Sequence, residues 1–366
     1  MVESGPATLA IARHDAALEA LDAGRVDDAR RLAAIAVDAA TAAFGPDSPD
    51  LANVLLTCVD AAEFAGDFTA AQALAERAAT VASPLAATDD TQLMALWVDI
   101  EIAHARICLA QGDFDQAEAR LTDALSVASR VLAHDDSSVL SIHNMRGVTA
   151  KHAGRFDDAA THYARLRAVL DVEPVADEQG LAVLLHNLGG LAHSRGQVAE
   201  GLAHAHRGLR LRIAAVGEHH PDVARDLNAI GALLQDAGDP QAAEAVYRRA
   251  LRIFENTLGT DHYEVGMACA NLAVTIAATG ETTEARHCYE RGLRILQSAL
   301  NGTHPDVALV QHNLAALMAS LGDFGAADRL LAQAEAAMTA SLTPEHPRLL
   351  DLYATKAELR RHRSQR

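Results

Sequence analysis

Apolar residues recur at helical spacing along the chain, in pairs of segments separated by a glycine. Around Gly238 the apolar positions on either side follow the three- and four-residue spacing of one helix face. Those before it are Leu227, Ile230, Leu233 and Leu234, and those after it are Ala243, Val246, Tyr247, Ala250, Leu251 and Phe254. No segment shows the alternation of a strand. The pattern predicts an all-α chain of helix–turn–helix units.

The turn glycine repeats with a nearly constant period, which predicts eight such units. The glycines are Gly24, Gly66, Gly112, Gly154, Gly196, Gly238, Gly280 and Gly322, spaced by 42, 46, 42, 42, 42, 42 and 42 residues. Small residues recur seven positions before each glycine, and five and twelve positions after it, with Leu166 the one large residue at the last of these. Small side chains let helices cross closely, so these positions predict tightly packed helix pairs.

Short motifs are predicted to start the helices. One motif recurs at the first helix of several units, as His220-Pro221-Asp222, His262-Tyr263-Glu264, His304-Pro305-Asp306 and His346-Pro347-Arg348, with Ser48-Pro49-Asp50 as an earlier form. Proline suits the first turn of a helix, and a structural role is predicted for the histidines because equivalent sites in stacked repeats lie too far apart to share a metal. Aspartates that follow four of the turn glycines are predicted to start second helices: Asp67, Asp113, Asp239 and Asp323.

The small residues about each glycine turn resemble those of the tetratricopeptide repeat. The 42-residue period and the segments VGEHHPDVA (216–224), LGTDHYEV (258–265) and LNGTHPDVA (300–308) resemble the kinesin light chain type of this repeat. The resemblance is strongest over residues 174–348. It implies a right-handed α-solenoid of about eight tetratricopeptide-type helix pairs plus a C-terminal capping helix.

The repeats divide the whole chain, which is predicted to form a single solenoid over residues 1–366. Their approximate bounds are 7–45, 46–86, 89–134, 135–173, 174–217, 218–259, 260–301 and 302–343, and residues 344–366 are the predicted capping helix and tail. The longer spacing between the second and third glycines, with Ser83-Pro84 and Thr88-Asp89-Asp90, predicts an enlarged loop there.

Charge and composition narrow the possible partners. The formal net charge is −18, and residues 1–133 hold 21 acidic against 8 basic residues. This argues against nucleic acid and favours a neutral or basic protein segment at the acidic N-terminal third. The opening residues do not resemble a signal peptide, and no apolar run is long enough for a membrane span, so a cytoplasmic protein is predicted. The four cysteines lie far apart and are interpreted as reduced core residues, and no metal or cofactor is predicted.

Asparagines mark the predicted binding groove. In a solenoid the first helix of each pair forms the concave surface, and carboxamides recur at corresponding places on these helices, at Asn144, Asn187, Asn228, Asn271 and Asn313. A carboxamide both donates and accepts, which suits the backbone of an extended peptide. The resemblance implies the same, because the equivalent asparagines of tetratricopeptide domains contact ligand backbone. The alternative is that these amides bond to neighbouring helices.

Units four to six add a positive or titratable centre to this groove. Its members are Lys151, His152, His186, His193 and Arg225, and Gln235 is a further predicted groove residue of these units. They are interpreted as solvated groove residues. An anion contact, or a metal or catalytic site that includes Asp236, is the alternative, although His186 and His193 would need a further ligand from a neighbouring helix.

The sequence therefore predicts a non-catalytic protein–protein interaction scaffold that binds a peptide or extended protein segment in its groove. It contains no glycine-rich phosphate loop, zinc-protease motif or nucleophile elbow, so it is not predicted to be an enzyme. Two alternatives stay open. The first is a peptide-sensing regulatory protein whose solenoid changes shape on binding, and the second is an enzyme or metal protein that uses the central histidines.

Overall fold

The structure, a computed structural model, describes residues 5–23, 25–65, 67–172, 175–300, 304–342, 344 and 346–364. Across these ranges the chain forms seventeen α-helices, one 3₁₀ turn and no strand. The helices are α1 (Pro6–Asp22), α2 (Val26–Phe44), α3 (Pro49–Phe64), α4 (Phe68–Ala82), α5 (Thr91–Gln111), α6 (Phe114–Ala128), α7 (Ser137–His152), α8 (Phe156–Leu170), α9 (Glu178–Ser194), α10 (Val198–Val216), α11 (Pro221–Asp236), α12 (Pro240–Leu258), α13 (Tyr263–Ala278), α14 (Thr282–Ala299), α15 (Pro305–Ser320), α16 (Phe324–Ser341) and α17 (Pro347–Ser364). Eight helix pairs followed by α17 confirm the predicted fold class.

The helices group into two compact units, residues 1–162 and 163–366. Within each unit a helix packs mainly against its chain neighbours, and the odd-numbered helices, which we call first helices, also contact one another directly. The predicted enlarged loop contains the 3₁₀ turn Ser83–Ala87, whose Leu85 is buried. None of the described helices is both long and apolar enough to span a membrane.

The repeated turn glycines have the backbone conformation that their role requires. Gly238 and the equivalent glycines at 112, 154, 196, 280 and 322 have positive φ, from 71° to 91°, a region that L side chains rarely adopt. Gly24 and Gly66 lie outside the described residues. Glycine therefore ends the first helix of these pairs and lets the chain reverse into the second.

Both predicted helix starts are confirmed. The carboxylates of Asp67, Asp113, Asp239 and Asp323 accept the backbone N–H three residues further on, at 2.9–3.1 Å. The first helices α11, α13, α15 and α17 begin with a histidine whose Nδ1 accepts the backbone N–H two residues further on, at 3.0–3.2 Å. The repeated histidines therefore have the predicted structural role: each takes the N-cap position that serine, threonine or aspartate usually fills.

Close approach of the helices explains the small residues of the repeat. A Cβ placed on Gly292 in α14 would lie 2.7 Å from the carbonyl oxygen of Gly266 in α13, and one on Gly189 would lie 3.3 Å from the Gly201 carbonyl.

Cys108 and Cys269 are buried free thiols, and burial raises the pKa of each to about 11. Cys288, by contrast, is only partly buried.

Candidate functional site

The predicted groove residues lie on first helices in both units. Asn144, Lys151 and His152 are on α7 in the first unit. The others are in the second unit: His186, Asn187 and His193 on α9, Arg225, Asn228 and Gln235 on α11, Asn271 on α13 and Asn313 on α15. We call the side of α9, α11, α13, α15 and α17 that carries these positions the first-helix surface of the second unit.

Over the described residues, Lys151 lacks the acidic partner that Arg106 and Arg146 of the first unit have. Its ammonium group makes no ion pair with any residue that the structure describes, and burial lowers its pKa. His152, beside it, is exposed. The first helices α3 and α5 carry a more acidic group, in which Arg106 contacts Asp60 and donates to Glu63 at 2.6 Å.

A buried charge network fixes His186 in the second unit. Its Nδ1 lies 2.9 Å from Oδ1 of Asp226 on α11, and Nε of Arg212 on α10 donates to the other oxygen of that carboxylate at 3.2 Å. The side chains of Asp226 and Arg212 are 5% and 11% exposed, whereas that of His186 is 39% exposed. The network joins three helices. Its buried members hold the inner side of the His186 ring, and part of that ring stays at the surface.

The other predicted members of the basic centre also have partners. His193 lies 2.7 Å from Asp236, Arg225 donates to Glu264 at 2.7 Å and also contacts Asp222, and Gln235 accepts the Tyr247 hydroxyl at 3.0 Å. In the second unit the predicted positive or titratable residues are therefore paired with carboxylates. Each histidine or arginine there faces at least one carboxylate on the same or a neighbouring helix, because an exposed cation beside a repeat rich in acidic residues finds a partner.

At two places a polar contact joins neighbouring first helices. Counted back from the turn glycine, it runs from position ten of one repeat to position nine of the next. Thus His14 Nε2 lies 2.6 Å from Thr57 Oγ1, and His312 Nε2 lies 2.8 Å from Thr355 Oγ1. The predicted asparagines stand at these same two positions. An asparagine that bonds to the neighbouring first helix in this way is not available to a ligand.

Three asparagines of the second unit are not used in this way. Oδ1 of Asn228 is buried and accepts no hydrogen bond, and the side chains of Asn271 and Asn313 bond to none of the described residues. Asn228 and Asn271 occupy positions ten and nine of two successive repeats, as His312 and Thr355 do. The two asparagine side chains nevertheless do not bond to each other. Val274, one turn after Asn271, is 38% exposed. Helices α11, α13 and α15 thus present unpaired carboxamides beside small and apolar side chains.

The family model for the tetratricopeptide repeat matches residues 8–83, 98–171, 180–256 and 266–340. The chain belongs to the tetratricopeptide repeat family. A comparison with curated proteins found no match.

Solved structures share the fold of this tetratricopeptide repeat chain at low sequence identity. The apo form of the quorum sensor NprR from B. thuringiensis is 12% identical, with 90% of this chain and 88% of that chain covered and a TM-score of 0.60. A Rap protein complexed with Competence and Sporulation Factor is also 12% identical, with coverage of 97% and 99% and a TM-score of 0.56. BtubC (BKLC) from P. vanneervenii is 20% identical, with coverage of 68% and 91% and a TM-score of 0.46. At such identities the likeness shows the fold alone.

The groove predicted from the sequence lacked the part of this tetratricopeptide surface that α17 contributes. Thr355 and Glu358 lie 42 residues after Asn313 and Ala316, so extension of the repeat into the capping helix would have placed them in the same rows. A cavity of about 310 Å³ lies there between α15 and α17, next to Phe324. Over the described residues no three His, Cys, Asp or Glu side chains are grouped closely enough to hold a metal ion.

Proposed function

We propose that this chain is a non-catalytic protein-interaction scaffold of the cytoplasm, which binds an extended protein segment across α11, α13 and α15. The observation that carries the proposal is the set of unpaired carboxamides at Asn228, Asn271 and Asn313. A carboxamide can bond to the N–H and the C=O of an extended backbone, so a row of them holds a peptide without regard to most of its side chains.

The charges around this row support the same function. Arg225, His193 and Arg348 are paired with carboxylates of the protein itself, so they do not favour an acidic ligand. Oδ1 of Asn228 is buried and accepts no hydrogen bond from the described residues, so this carboxamide is not committed to a neighbouring helix.

The first unit is proposed to add a preference for basic or neutral segments. Asp60, Glu63 and the exposed Asp99 lie on α3 and α5, with Arg106 paired to the first two. Partial desolvation raises the pKa of Asp99, and the negative charge of Asp60 raises it further. A positive side chain of the partner would be favoured beside these carboxylates.

The test is peptide selection with the purified full chain. A displayed library of random 12-residue peptides is enriched on the protein, and affinities of the enriched peptides are measured by fluorescence anisotropy. The triple variant Asn228→Ala/Asn271→Ala/Asn313→Ala should weaken binding about 100-fold, since three hydrogen bonds of about 1 kcal/mol are lost. Asn256→Ala, an exposed asparagine on the second helix α12, is the matched control.

Two results would contradict the proposal. One is that no peptide is enriched above the level obtained with the triple variant, and the other is that the triple variant binds the enriched peptides as well as the native chain does. Circular dichroism checks that the variant keeps its helices. Asn228→Ala alone should not lower the stability of the free chain, because it removes an acceptor that has no partner.

A peptide-sensing regulatory protein is the second candidate. The shared fold with a Rap protein complexed with Competence and Sporulation Factor, over 97% of this chain, is the observation that favours it. A sensor must change shape with occupancy. Small-angle X-ray scattering with and without a saturating enriched peptide separates the two candidates: a changed radius of gyration favours the sensor, and an unchanged one favours the scaffold.

A further inference from the structure

The first-helix surface of the second unit continues onto the capping helix in two rows. Asn271, Asn313 and Thr355 form one row at 42-residue steps, and Val274, Ala316 and Glu358 form the other. The first row is polar and neutral. The second is apolar until it reaches Glu358, so a single carboxylate stands at the end of an otherwise uncharged row.

The cavity between α15 and α17 lies where these rows end. Ala316, Ala319, Phe324 and the buried Leu359 give it an apolar lining, and its volume is about 310 Å³. Ala316 is three residues after Asn313 on α15, so the cavity opens on the same face of that helix as the unpaired carboxamide. A side chain of a peptide held by Asn313 would therefore be within reach of the cavity.

The polar groups around the cavity differ in their availability. The Thr355 hydroxyl is bonded to His312, and the Ser320 hydroxyl donates to the Leu317 carbonyl oxygen at 2.7 Å. Glu358 is exposed and makes no ion pair with the described residues. The nearby Lys356 is committed elsewhere, because it contacts Glu335 on α16. An unpaired carboxylate beside an apolar lining is thus what the cavity offers to a ligand.

The described basic side chains near this carboxylate form no ion pair with it. Arg348 donates to Asp306 at 3.2 Å, and Arg361 donates to the Ala357 carbonyl oxygen. His312 is buried, and burial lowers its pKa, so it is neutral at neutral pH.

From this arrangement we infer that the cavity between α15 and α17 takes the side chain of a lysine or arginine in the bound segment. The aliphatic stem of either residue packs against Ala316, Phe324 and Leu359, while its cationic head bonds to Glu358. An acidic side chain would be repelled there, and a purely apolar one would remove water from Glu358 without replacing it. The inference rests on the proposed function, because the peptide backbone must first be held by Asn271 and Asn313.

Selection from the same random peptide library tests this assignment. Enriched peptides are expected to share one lysine or arginine, and its replacement by norleucine, which keeps the stem and removes the charge, should weaken binding about tenfold. Glu358→Gln should produce a similar loss with the native peptide and little further loss with the norleucine peptide. Glu281→Gln, an exposed glutamate at the start of α14, is the matched control.

A second variant fills the cavity instead of changing its charge. Ala316 is exposed, so Ala316→Phe should leave the helices intact by circular dichroism and weaken the basic peptide at least tenfold. Glu358→Lys should reverse the preference, so that a peptide with glutamate in place of its basic residue binds better than the original.

The outcomes separate this inference from the proposed function. If peptides bind and are lost in the asparagine triple variant, but carry no shared basic residue or ignore Glu358→Gln and Ala316→Phe, the cavity assignment is overturned and the scaffold function stands. If no peptide is enriched above the level of the triple variant, the scaffold function fails and the cavity assignment fails with it.

Discussion

Removal of the Asp226 carboxylate should destabilise the second unit more than removal of any exposed carboxylate nearby. Asp226 is 5% exposed and lies between His186, at 2.9 Å, and Arg212, at 3.2 Å. Asp226→Ala leaves the guanidinium of Arg212, itself 11% exposed, without its anion. The perturbation therefore creates a buried unpaired charge in addition to a small cavity.

The expected loss follows from burial. Breaking a buried ion pair by removal of one partner costs about 3–5 kcal/mol, because the remaining charge is desolvated and has no opposite charge to compensate. Asp236 is on the same helix and faces His193 at 2.7 Å, but its side chain is 54% exposed. Loss of such a pair costs about 0–1 kcal/mol. Asp236→Ala is therefore a control matched in residue, helix and histidine partner, and it differs in burial and in having no arginine partner.

Hydrogen exchange measured by mass spectrometry is the appropriate assay. In stacked repeats each helix pair contacts only its neighbours, so the loss should be concentrated in α9, α10 and α11. Protection of these helices should fall by the equivalent of about 3–5 kcal/mol in Asp226→Ala, while α5 in the first unit keeps its native protection. Urea unfolding followed by circular dichroism gives an independent measure of the same change.

The double variant Asp226→Leu/Arg212→Met tests the physical cause. It removes both charges and fills much of the space with apolar atoms, so it should recover most of the stability lost in Asp226→Ala. If Asp226→Ala costs less than about 1 kcal/mol, or if the double variant is no more stable than the single one, the buried charge does not explain the role of this network.

Two further predictions concern the helix starts and the helix contacts. His262, His304 and His346 each cap a first helix through an unprotonated Nδ1. Burial is the main cause that lowers the pKa of each below 6.5. Their contribution to folding stability is therefore present above pH 6.5 and is lost as the pH falls through the lowered pKa values. Asn substitution at all three keeps an N-cap acceptor and should reduce the loss of unfolding free energy between pH 7.5 and pH 5, measured by urea unfolding, by roughly 1 kcal/mol per cap. An unchanged pH dependence would refute the capping explanation. Gly292→Ala should lower the free energy of unfolding by about 1–3 kcal/mol, because its Cβ would lie 2.7 Å from the Gly266 carbonyl oxygen. A Cβ on Gly325 would have no such neighbour nearer than 3.7 Å, so Gly325→Ala should be neutral or stabilising. Thermal unfolding measures both variants. Equal changes in both glycine variants would show that the close approach of α13 and α14 does not set the effect.

Much of the fold was predictable because its determinants are local and repeated. The period of the turn glycine, the acidic N-caps such as Asp239, and the histidine at the start of α11 each act within a few residues of the chain. The glycine recurs eight times, and the aspartate and histidine caps four times each, so one correct repeat predicts much of the rest. The extension of the same period into α17 was also present in the sequence, and it would have located Thr355 and Glu358.

The binding residues were only partly predictable, because their availability depends on contacts between helices about 40 residues apart in the chain. His186, His193 and Arg225 appeared as a basic group in the sequence, yet each meets a carboxylate of the next first helix. Periodicity places a residue on a face but does not show whether a neighbour already satisfies it.

The sequence by itself determined the helices, their pairing and the rows in which polar residues stand, since the 42-residue period dictates which positions share a face. The tertiary structure alone decided which members of those rows remain unpaired. His312 and Thr355 bond to one another, whereas Asn228 and Asn271, at the same two positions, do not. The physical reason is that a hydrogen bond requires two side chains of matching length and direction across the gap between helices, and that gap is set by packing.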